Sequence, residues 1–89
     1  MAYFQSIDQG TAMPAEAAAS PQVMFELGMM YAAGRAVPVN LVEAHKWFNL
    51  AAAKGFSEAA QLRREIAEMM SEMEIAEAQR AARAWLTLH

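Results

Sequence analysis

Cysteine is absent from this chain of 89 residues. Disulfides and thiolate metal sites are thereby excluded, and the redox compartment is left open. No segment alternates apolar and polar residues with a period of two over a useful length, so no sheet is expected. Leu, Ile, Val and Phe are few while alanine is the commonest residue, which favours helices packed closely through small side chains. No apolar run approaches the length needed to span a bilayer, so a membrane is not expected as a partner. The start of the chain lacks a basic segment followed by an apolar core, and the expected location is the cytoplasm. A basic face is missing too. The net charge is -3, and Arg63, Arg64, Arg80 and Arg83 are interleaved with Glu65, Glu68, Glu72, Glu74 and Glu77. That pattern describes a solvated, salt-bridged surface and not a nucleic-acid binder.

What is present is helix punctuation. Ser20-Pro21 reads as an N-cap followed by proline at the first helical position. Met24, Leu27, Gly28 and Tyr31 follow at helical spacing, and Gly34 ends the element. After the connection Arg35 to Val39, with Pro38 barring helix, Asn40 and Glu43 read as a capping box. Ala44, Trp47, Phe48, Ala51 and Ala52 form the buried stripe of that second helix, and Gly55 is its stop. Ser57 reads as the cap of a third helix with Ala59, Leu62, Ile66 and Met69 inward. Ser71 and Glu74 open a fourth, with Ile75, Ala78, Ala82, Trp85 and Leu86 inward. The expected fold is all-α, two stacked antiparallel helix hairpins in one domain, with stability on the order of 5 kcal/mol. Residues 1–19 are expected to be a loosely ordered arm, with Tyr3, Phe4 and Ile7 as its apolar side chains.

Gly28 is the odd residue, since a mid-helix glycine costs roughly 1 kcal/mol relative to alanine. Close packing explains it: a small position on the first helix opposite Ala51 and Ala52, with Trp47 and Phe48 filling the space beside them. Gly28 and Ala52 are expected to meet, Trp47 to lie between the first three helices, and Trp85 to seal the open end.

Chemistry is not legible. The two histidines, His45 and His89, have neither thiols nor metal-ligand spacing around them, and His45 reads as a boundary residue beside the Trp47 stripe. The serines fall at caps or in the arm, without a base and an orienting group. No catalytic residue, metal or cofactor is expected. Met24, Met29, Met30, Met69, Met70 and Met73 are more methionine than a core this size needs, and part of that surplus suits an exposed contact surface.

Leu27-Gly28-x-x-Tyr31-x-x-Gly34, then Val37, then Ala44-x-x-Trp47-Phe48-x-x-Ala51-Ala52-x-x-Gly55, resembles a Sel-one-like repeat, a relative of the tetratricopeptide repeat. The segment His45 to Leu50 is similar to short bacterial members. The complete repeat covers residues 20–56, and residues 57–89 then resemble a degenerate repeat or capping helix pair. Ala36 stands where the family usually has a second loop glycine, and Asn40 where it has aspartate. The resemblance implies a non-enzymatic adaptor that binds another protein or peptide, with a self-associating homodimer as the alternative. It also places the first helix of each pair on a concave face. On that face Phe25, Glu26, Met29 and Ala32, with Arg63, Arg64 and Glu65, are left for a partner, and the arm is expected to pack there when ordered.

Overall fold

The computed structural model describes residues 20–88. Four helices follow one another: α1 Pro21–Ala33, α2 Leu41–Ala53, α3 Ser57–Ala67 and α4 Glu72–Leu88. There is no strand among the described residues, and the architecture is all-α. The arm and its expected docking, and His89, lie outside the described residues.

Local chemistry explains most boundaries. Ser20 accepts a long hydrogen bond from the Val23 N–H, with Pro21 at the first helical position. Gly34, at φ 74°, donates its N–H to the Met30 carbonyl and ends α1. The loop then returns to its own helix, because the Asn40 N–H donates to the Tyr31 carbonyl. That bond divides the expected capping box. Asn40 Oδ1 does accept from the Glu43 N–H at 3.1 Å. The Asn40 N–H is already occupied, however, so the Glu43 carboxylate turns outward along α2. It accepts from Trp47 Nε1 at 3.2 Å and pairs with Lys46 at 3.1 Å.

Ala36 sits at φ 65°, a left-handed conformation disfavoured for a side chain with Cβ. The loop therefore keeps the glycine-like backbone without the glycine. Ala36→Gly is expected to raise stability by roughly 0.5–1 kcal/mol, the relief of αL strain less the entropy glycine adds to the unfolded chain. A thermal midpoint that stays level or falls would mean that Ala36 carries no strain.

Two expectations at α3 are corrected. Phe56, not Ser57, is its N-cap, and no side chain caps it. Phe56 is held by its ring, 4.6 Å from that of Phe25, so the start of α3 is set by packing and not by a hydroxyl. At the other end α3 stops at Ala67, and Met69 falls in the turn beyond it, 66% exposed instead of inward. Met70 packs against the core in its place. The next cap forms as expected: the Glu74 N–H donates to Ser71 Oγ at 3.1 Å, and the Ser71 N–H to Glu74 Oε1 at 2.9 Å.

The centre of the structure is α2, on which α1, α3 and α4 all pack. Its inward residues Ala44, Trp47, Phe48, Leu50 and Ala51 join Met24 of α1, Ala59 and Ile66 of α3 and Ala82 of α4 in one core. Gly28 does not face Ala52 as its nearest neighbour. A Cβ built on it would lie 2.5 Å from the ring of Phe48, so the glycine makes room for an aromatic ring. Trp47 is buried as expected, but one of its neighbours comes from α4: the Trp85 ring meets it edge-on at 5.8 Å. Trp85 is half-buried there, while Leu86, expected inward, is 50% exposed.

Candidate interaction surface

The residues left for a partner divide into two kinds. Glu26 and Arg64 are exposed, whereas Phe25, Met29, Ala32 and Arg63 are half-buried. Phe25 spends much of its ring on the protein itself, 5.8 Å from Phe48 and 4.6 Å from Phe56. Met29 and Ala32 also lean on the core from α1. Arg63 is anchored, its guanidinium donating to Asn49 Oδ1 across the α2–α3 junction. Arg64, the next residue, has no ion-pair partner among the described residues. The strip is thus a half-covered apolar floor on α1 edged by the exposed Glu26, while Arg63 and Arg64 stand on α3, which packs on α2.

Beneath it lies a residue that the sequence reading misplaced. His45 is buried on α2, 3% exposed, and its Nδ1 has no hydrogen-bond partner. Burial, and next the nearby positive charge of Arg63, push its pKa below the ordinary histidine value, against an opposing backbone hydrogen bond. The fold thus accommodates neutral imidazole. The sign of the pH dependence follows. The unfolded chain takes up the proton near 6.5 and the folded chain only at lower pH, so the stability linked to His45 is complete above that value. It is lost as pH falls from about 6.5 toward the folded pKa. The denaturation midpoint is expected to decline over this window, and His45→Gln to flatten that decline. An identical slope in the variant would remove His45 as the cause. The sequence signal was available: His45 falls in line with Phe48 and Ala52 at helical spacing, but a reading by residue type passes over it.

No group of three or more His, Asp or Glu placed to hold a metal occurs among the described residues. A shallow hollow at the α2–α3 turn, lined by Gly55, Phe56, Ser57 and Glu58, is open to solvent. No helix among them is long and apolar enough to cross a membrane.

Comparison with known proteins adds one match. Residues 21–56 fit the family model described as the Sel1 repeat. That segment takes in α1, the loop with Ala36, α2 and the turn to Phe56. No curated protein and no solved structure gives a significant match.

Proposed function

We propose that this chain, whose residues 21–56 fit the Sel1 repeat, a helical repeat of the protein–protein interaction type, is a non-enzymatic adaptor. The partner is an amphipathic helix or extended peptide laid along the strip of α1 and α3. The observation that carries this reading is the half-covered apolar floor of Phe25, Met29 and Ala32 on α1, with Glu26 exposed on the same helix. A partner would complete the burial that the chain's own packing leaves unfinished, with Glu26 and Arg64 setting its orientation.

The test compares affinity capture from the source cell by the wild type and by a Met29→Glu/Arg64→Glu variant. A protein held by the first and lost by the second, at equal thermal stability, supports the strip. Equal capture by both would reject it.

A second reading has its own observation. Leu86 and Leu88 are 50% and 79% exposed at the end of α4, which suits self-association. Sedimentation over a concentration series separates the two. A strict monomer removes the homodimer, and a dimer abolished by Leu86→Ser/Leu88→Ser supports it.

A further inference from the structure

Exposed apolar surface and charge of one sign coincide at the corner where α3 turns into α4. Met69 and Met73 are 66% and 82% exposed. They stand four residues apart in the chain, so the backbone cannot carry them more than about 14 Å from each other. Around them Glu65, Glu68, Glu72, Glu74 and Glu77 are all exposed, and no Lys or Arg occurs between Arg64 and Arg80.

Folding accounts for only some of these glutamates. Glu72 and Glu74 lie in the first turn of α4, where the helix dipole favours negative charge, and Glu74 also closes the Ser71 cap. Glu65 and Glu68 lie at the opposite kind of end, the C-terminus of α3, where the dipole disfavours carboxylates. Glu65 has only a side-chain amide for company, that of Gln61, and none of the five has a cationic partner among the described residues. The corner therefore holds negative charge against its own helix dipole, beside two methionines that the core does not use.

We propose that this corner is a second docking site, and that its occupant is a basic segment of another protein with an apolar face. Met69 and Met73 enter that face, and the glutamates pair with Lys or Arg on its flanks. Thioethers on unbranched, flexible stems suit such a contact because they adapt to the shape presented. Charge complementarity selects the occupant. A second copy docked corner to corner would set like charges against each other. Residues 1–19 contain no Lys or Arg and cannot supply the counter-charge. The chain's own cations are dispersed, with Lys46 paired to Glu43 and Arg63 bonded to Asn49.

The probe is a labelled synthetic amphipathic helix of Leu, Ala and Lys, titrated with the full chain and followed by fluorescence anisotropy. A scrambled peptide of the same composition and a version with Glu for Lys are the comparisons. The parent peptide is expected to bind at least roughly tenfold more tightly than either, a difference of about 1.4 kcal/mol. Met69→Ser/Met73→Ser should weaken it by a similar factor with an unchanged thermal midpoint. Glu68→Gln/Glu72→Gln should weaken it and flatten its salt dependence. Val39→Ser, at an exposed apolar residue that belongs to neither surface, should leave it unaltered. The proposal is overturned if the parent peptide does not bind, if the scrambled peptide binds as well, or if the Met69/Met73 variant binds like the wild type. Loss of binding in Val39→Ser would likewise overturn it, by showing that any exposed apolar side chain serves as well.

Discussion

Replacing Gly28 with alanine is expected to destabilise the protein, although alanine is the better helix former by about 1 kcal/mol. The added methyl would lie 2.5 Å from two atoms of the Phe48 ring and 3.0 Å from a third. That ring is 1% exposed and has Phe25 beside it, so it has little space into which to withdraw. Overpacking of this kind costs about 1–3 kcal/mol, enough to reverse the gain in propensity. Gly28→Leu adds three more carbons at the same point and is expected to abolish the cooperative urea transition altogether. The decisive comparison is Gly28→Ala in the wild type and in a Phe48→Leu background. Its cost should shrink in the second, because the atoms it meets are gone. A Gly28→Ala protein more stable than the wild type would show that the ring yields freely and that the glycine has another origin.

Trp47→Ala is expected to have an effect of comparable size, roughly 3–5 kcal/mol, which approaches the whole stability of a domain this small. Three interactions converge on that indole. Glu43 accepts its N–H, the Lys46 ammonium stands 4.4 Å from the ring centroid, and Trp85 meets it edge-on. Removal leaves a cavity between α2 and α4 and strips the Glu43–Lys46 pair of the surface it rests on. Trp85→Ala should cost clearly less, since Trp85 is only half-buried. The two changes should be non-additive, with a coupling of about 0.5–1.5 kcal/mol, as for other edge-to-face aromatic pairs. Additive effects in chemical denaturation would mean that the two rings touch without depending on each other.

The sequence showed most clearly what is decided within a few residues. Ser71 and Glu74 close their box because both partners lie on one turn and nothing else competes for them. Asn40 and Glu43 have the same spacing, yet a residue nine positions back takes the Asn40 N–H. Competition of that sort is invisible in a local pattern. The same limit applies to Gly28: the stripe of α2 does not reveal whether position 48, 51 or 52 stands opposite. Met69 was misplaced because Glu65 to Met70 contains no helix breaker, while the strong cap at Ser71 obliges the chain to turn before it. The strip on α1 and α3 entered through family resemblance alone. The Met69–Met73 corner entered only as part of a methionine surplus suited to an exposed contact surface, with no place in the fold, because a methionine at helical spacing reads as core.

The position of α2 separates two things that a repeat signature runs together. Residues 21–56 are what marks the chain as a repeat, but they are not a self-sufficient body. Of the three helices that coat α2, one lies inside that segment and two lie after it. A cut after Phe56 would take away Trp85 from the edge of Trp47 and Arg63 from Asn49, and leave two flanks of α2 facing water. The boundary that inheritance draws through this molecule and the boundary that cooperativity draws therefore do not coincide. The last two helices, which carry no signature of their own, determine whether the first two can hold their shape.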